Sequence, residues 1–315
     1  MKIKYITSSL LVLLTFANFA QKPIMLDNIH YSVGDSTTQK NAVFFFKTFF
    51  KAKEISEQSD NPLTYMNILG LHPDEMTINI SATDTVNRKA RNEENHKFST
   101  TAILHIYGVH WLAINTKNIR KTVKLLLKQG YNFAIEGFTL PNEPTVNAVA
   151  MYGFDNNIIV LVERPSLKSK TSFSIDHVQL IVKNLETNVK FYQDVLGAEV
   201  IDKKDRSTVL KVGNQKIVLS EPEALGLVRE QVLDRNTTNF ASHIDNISFL
   251  YDEIEPAFYA AQANNYTVIS EPKVLLFNEK STPYTICKVL SPDNLEIDLI
   301  QEEGRTSEKK ISKTK

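Results

Sequence analysis

Ile175-Asp176-His177-Val178-Gln179-Leu180-Ile181-Val182 reads as a short apolar strand. Lys183-Asn184-Leu185 then opens a helix whose apolar residues Leu185, Val189, Tyr192 and Leu196 fall on one face. Gly197 stands where a helix end wants a residue free to take positive φ. Three strand-like pieces follow, 199–202, 207–212 and 216–220. Gly213-Asn214 between the last two is a hairpin signal. The order is βαβββ.

The same order recurs on both sides. Downstream, Asp245–Tyr251 predicts a strand, and a helix follows from Glu255 with Pro256 in its first turn. Strands are expected near 267–270, 286–290 and 295–300. Upstream, Val109–Ile114 predicts a strand, Lys117-Asn118-Ile119 echoes Lys183-Asn184-Leu185, and Gly130 ends the helix. A fourth, divergent copy starts at Asn28–Val33 and continues into a helix holding Phe44, Phe45, Phe46, Phe49 and Phe50, expected as buried core. Matched first-strand positions are Asn28, Trp111, His177 and Asn246. One such unit leaves a sheet face bare, and two bury it together. The expected fold is therefore α+β: paired βαβββ modules forming curved mixed sheets around a cleft, in two domains, 24–164 and 173–302. Asp84–Lys97 reads as a loop or insertion, Pro165–Lys170 as a linker, and 303–315 as a polar tail.

Residues 1–20 read as a signal peptide. Lys2 and Lys4 precede the apolar run Leu10–Phe16, and Ala17 and Ala20 supply small residues at −3 and −1. The expected location is periplasmic or secreted, with a cut after Ala20 and no stable membrane span after cleavage. Lys plus Arg and Asp plus Glu are both 36, so the formal charge is zero and no nucleic-acid partner is expected. Glycine, at 10 residues, is sparse, and no G-x-G-x-x-G or G-x-x-x-x-G-K-[ST] phosphate loop occurs. A single cysteine, Cys287, excludes an intrachain disulfide and any multi-cysteine zinc site. It reads as a small buried hydrophobe. G-x-S-x-G and H-E-x-x-H are also absent.

Two stretches resemble the vicinal oxygen chelate superfamily, which includes glyoxalases, bleomycin-resistance proteins and extradiol dioxygenases. One is Asp176-His177-Val178 with Lys183-Asn184-Leu185, Phe191-Tyr192 and Leu196-Gly197. The other is Ser291-Pro292-Asp293-Asn294-Leu295-Glu296-Ile297-Asp298-Leu299, which is similar to the family's final-strand pattern. The resemblance is good over 173–302 and weaker over 24–164. It implies a cleft for a small molecule and, in many members, a divalent metal held by first-strand histidines and a final-strand glutamate. Carried over, the slots are His177, Asn246 and Asp298, with His177 and Asp298 as metal ligands facing one cleft. Asn246 replaces an imidazole with a neutral oxygen, a poor ligand for zinc or iron. Glu296 shares the Asp298 face and is a site neighbour, as is His243, although its odd offset from Asn246 turns it to the other face. In the first half the slots read Asn28, Trp111 and Val160, and His110 alternates away from Trp111.

Three functions compete. The favoured one is an exported glyoxalase/bleomycin-resistance-like protein that binds a small molecule in the cleft of the second domain, without metal. In that version His177 hydrogen-bonds to Asp298 or Glu296. The alternatives are a lyase, isomerase or dioxygenase using one divalent ion on His177 and Asp298, and a degenerate interaction module. The sequence leaves open the catalytic residues, the ligand and the oligomeric state.

Overall fold

The computed structural model describes residues 21–33, 35–53, 76–82, 107–165, 173–233, 243–276 and 283–303. The signal segment 1–20, the Asp84–Lys97 stretch, most of the linker and the tail beyond 303 lie outside the described residues. Three units carry the expected order in full. The second is β3 (Gly108–Thr116), α2 (Ile119–Lys128), β4 (Phe133–Ile135), β5 (Ala148–Tyr152) and β6 (Ile158–Glu163). The third is β7 (Phe173–Ile181), α3 (Leu185–Asp194), β8 (Glu199–Lys203), β9 (Ser207–Val212) and β10 (Gln215–Ser220). The fourth is β11 (His243–Tyr251), α4 (Glu255–Ala263), β12 (Val268–Leu275), β13 (Tyr284–Leu290) and β14 (Glu296–Glu302). The first contributes β1 (Met25–Val33), α1 (Ser36–Phe50) and β2 (Thr77–Ala82).

The repeated Lys-Asn-apolar triplet is a helix start. Asn118 and Asn184 are N-caps whose side chains accept from the Lys121 and Thr187 amides at 2.9 and 2.8 Å. Asp35 caps α1 in the same way, accepting from the Thr38 amide at 2.7 Å. Each cap satisfies one of the first-turn amides that the helix leaves without a partner.

In each complete unit the first strand runs parallel to the last, and the other neighbours are antiparallel. In the first unit β2 runs parallel to β1, which is the place of a final strand. The units do not pair as chain neighbours. β3 joins β7, giving an eight-stranded sheet ordered β4-β5-β6-β3-β7-β10-β9-β8. β1 joins β11, giving a six-stranded sheet ordered β12-β13-β14-β11-β1-β2. The second unit is thus partnered by the third, and the first by the fourth. The grouping 24–164 against 173–302 is not the grouping of the sheets. The architecture is α+β with two curved mixed sheets, as expected from the repeats.

One face of each sheet and the buried sides of all four helices form a single core. Phe45, Phe46, Phe49 and Phe50 of α1 lie in it, and edge-on ring contacts link Phe45 to Tyr131 and Phe154 of the other sheet's units. Phe44 departs from expectation: it is exposed, since one residue of the run must point away from a helix's buried stripe. The family-like turn Ser291-Pro292-Asp293-Asn294 also joins the sheets. Buried Asp293 accepts from the Lys183 amide at 3.1 Å and from Asn188 Nδ2 at 2.8 Å, both at the start of the third unit's helix.

Candidate functional site

The outer face of each sheet, turned away from the common core, is where the slot residues meet. All four first strands carry a β-bulge one residue before the slot. The bulged residues are Asp27, His110, Asp176 and Asp245, and the slots they precede are Asn28, Trp111, His177 and Asn246. A bulge breaks strict alternation and re-aims the residues beside it. In the eight-stranded sheet it places Trp111 opposite Gln179 and His177 opposite Ala113. In the six-stranded sheet Asn28 faces Ser248 and His30 faces Asn246.

On the eight-stranded sheet an open pocket lies over β7, β9 and β10. Its floor is Asp176, His177 and Gln179 of β7, Lys216 and Val218 of β10, and Val209 of β9. Its roof is Leu140–Glu143, from the connection before β5. The bulge explains why consecutive residues Asp176 and His177 both reach one pocket. His177 Nδ1 lies 2.8 Å from Asp176 Oδ2, and Arg164 Nε donates to Asp176 Oδ1 at 3.2 Å. Arg164 also pairs with Glu143. Burial alone would raise the Asp176 carboxyl, but His177, Arg164 and Lys216 overcome it and hold the carboxyl well below the usual range. An ionised carboxylate only accepts, so the proton sits on Nδ1 and Nε2 is left to the pocket. The other half of this face is apolar: Trp111, Ala113, Val160 and Leu140 form their own cluster.

On the six-stranded face polar groups pair with one another, although Asn246 Oδ1 has no hydrogen-bond partner among the described residues. His30 uses both ring nitrogens, Nε2 with Ser81 Oγ at 2.7 Å and Nδ1 with Asp245 Oδ1 at 3.0 Å. Asn246 Nδ2 donates to Asp298 Oδ2 at 3.3 Å. Lys288 pairs with Asp298 Oδ1 at 3.1 Å and with Glu296. Burial, eased by Lys288 and reinforced by Glu296 and Asp245, pushes the Asp298 carboxyl up to about 6.

Of the residues expected from sequence, Asn246, Glu296 and Asp298 come together, whereas His177 does not join them. β7 and β14 belong to different sheets, and both side chains point away from the shared core. His177 bonds to its chain neighbour Asp176 rather than to Asp298 or Glu296. His243 opens β11 opposite Ser32. His110 does not simply alternate away from Trp111: it is a bulge residue, with its ring 4.8 Å from the indole. Cys287 is buried, and burial pushes its thiol up to about 12, as suits a core residue.

The metal implied by the resemblance does not fit these donors. On the eight-stranded face the paired slots are Trp111 and His177 on the first strands, with Val160 and Val218 two residues on in the parallel final strands. On the six-stranded face they are Asn28, Asn246, Asn79 and Asp298. Each face supplies one strong ligand. Among the described residues no three His, Cys, Asp or Glu side chains are grouped to hold an ion.

Comparison with known proteins agrees with this architecture. Residues 174–296 match the family model of the Glyoxalase/Bleomycin resistance protein/Dioxygenase superfamily. That segment belongs to this superfamily. Glyoxalase I from Zea mays is 15% identical with a TM-score of 0.61, over 88% of this chain and 92% of that chain. A mutant of the same enzyme gives 14% and 0.62, over 90% and 94%. A putative dioxygenase from Bacillus subtilis gives 10% and 0.56, over 90% and 87%. At such identities the likeness is one of fold. No curated protein matches the chain by sequence. The superfamily segment runs from β7 into β14, so it crosses from one sheet to the other.

Proposed function

We propose that this chain is an exported small-molecule-binding protein of the glyoxalase fold, whose ligand enters the pocket on the eight-stranded sheet. The observation that carries the reading is the half-satisfied His177: Asp176 fixes its Nδ1, and Nε2 is left to an open pocket walled by apolar and polar groups. Such a mixture is what small-molecule sites use, apolar area for affinity and a few fixed polar atoms for orientation. Export rests on the basic start, the apolar run and the Ala17/Ala20 pair, and it places the mature start at Gln21. No helix among the described residues is long and apolar enough to cross a membrane.

The test is a ligand screen by thermal shift on the purified protein and on His177→Ala. Compounds that stabilise the first and not the second support the reading. Compounds that stabilise both equally contradict it. N-terminal sequencing of protein from the native host checks the export half, with Gln21 expected first and Met1 contradicting it.

A further inference from the structure

The floor of the pocket contains an acceptor that no described residue satisfies. Gln179 is fully buried. Its Nε2 donates to the carbonyls of Leu180 and Val218 at 2.9 and 3.1 Å, which fixes the amide orientation. Turning it over would set oxygen against two carbonyls. Gln179 lines the pocket, and its buried Oε1 meets no donor among the described residues. A buried acceptor is costly to leave without a donor. From the roof, Asn142 Nδ2 likewise has no partner among the described residues.

The charges in the pocket are unequal in their commitments. Glu143 and Asp176 both pair with Arg164, and Asp176 is held by His177 as well. Lys216 stands on β10 one residue before the Ile217–Val178 pair, as His177 does on β7, so the two are neighbours on one face. Its ammonium makes no ion pair among the described residues. Lys211 stands directly opposite it on β9, a like-charge pair that an anion between them would relieve.

We propose that the ligand of this pocket is a small organic anion that also carries a hydroxyl group. Its carboxylate lies against Lys216, and its hydroxyl donates to Gln179 Oε1. A short apolar tail rests on Leu140, Val209 and Val218. The proposal rests on the pocket being the ligand site and adds the chemical class of its occupant.

Calorimetric titration of the purified protein with α-hydroxyisocaproate, isocaproate and α-hydroxyisocaproamide separates the parts. The hydroxy acid should bind tightest. Losing the hydroxyl or the charge should each weaken binding roughly tenfold or more. Lys216→Met should erase the difference between acid and amide and keep the difference made by the hydroxyl. Gln179→Met should do the reverse, and if that variant does not fold, the deoxy probe carries the hydroxyl arm by itself. Equal binding of all three probes overturns the proposal, as does an acid preference unchanged in Lys216→Met. If these probes fail while another compound binds in a His177-dependent way, the ligand class is wrong and the site reading stands. If no compound of any class binds, both fall.

Discussion

His177, a slot residue of β7, and His30, two residues beyond the Asn28 slot of β1, both lie on the outer faces of their sheets. Both have a bulge aspartate against Nδ1, Asp176 and Asp245. His30 spends its second nitrogen on Ser81, whereas His177 leaves its second nitrogen to the pocket. Asn246 Oδ1 on the six-stranded face also lacks a hydrogen-bond partner among the described residues, so the two faces differ at their histidines rather than in all their polar groups. The two buried aspartates diverge to match. Asp176 sits among cations and is held ionised, while Asp298 is desolvated beside Glu296 and Asp245 and is pushed toward its neutral form. Binding capacity follows from unspent hydrogen-bonding groups, and the six-stranded face has spent its histidine.

The largest expected effect concerns how the two faces are held back to back. The chain entering β1 crosses the β9–β10 hairpin so closely that a Cβ on Gly213 would lie 2.3 Å from the Ile24 carbonyl oxygen. Gly213 also has φ +56°, in the left-handed region. Gly213→Ala should cost about 4 kcal/mol in urea unfolding. Gly226→Ala, at φ +71° with open space around it, should cost only about 1 kcal/mol. Equal costs would mean that the β1 entry does not lock the sheets.

Next in size is Asp176→Asn, which breaks a buried pairing with both His177 and Arg164 and should cost about 3 kcal/mol at neutral pH. The folded carboxyl titrates below its unfolded value. Its contribution is therefore full above about pH 4 and fades as pH falls further, so the gap between wild type and variant should close in acid. A gap that stays constant with pH would point to packing instead.

Asp298→Asn should act in the opposite direction. The folded carboxyl keeps its proton up to about pH 6, whereas an unfolded one releases it near ~4. Charging it therefore costs stability as pH rises between those values. The asparagine variant should be more stable than wild type by about 2 kcal/mol at pH 7 and level with it near pH 4. Destabilisation at pH 7 would mean that the Lys288 pair outweighs the burial penalty. Smallest is Asp245→Asn, on a half-exposed pair with His30, where a loss under about 1 kcal/mol is expected.

The order of elements was legible in the sequence because it is local. Asn118 and Asn184 mark helix starts, Gly197 marks a helix end, and apolar periodicity marks the faces. The partnership of the units was not legible. Each first strand has an unpaired edge, and nothing in its own residues says whether the next unit or a distant one will complete it. Placing β7 and β11 in different sheets therefore separated His177 from Asp298, although each occupies its expected slot. The bulges were hidden for a related reason. Strict alternation turns Asp176 away from His177, and only the antiparallel register of β3 against β7 skips it. Arg164 and the 140–143 roof were missed because they come from a different unit. The one available signal was the repeated polar residue just before each slot, in Asp27-Asn28, His110-Trp111, Asp176-His177 and Asp245-Asn246.

The central claim, that the eight-stranded face binds ligand and the six-stranded face does not, is tested most directly by long-range ¹H–¹⁵N spectra of the histidine rings, assigned with His177→Ala and His30→Ala. The account expects His177 to be protonated at Nδ1 with a bare Nε2, and its ring signals to move when α-hydroxyisocaproate is added while those of His30 stay fixed. Movement of His30 with His177 unchanged, or a His177 proton on Nε2 in the free protein, would contradict it.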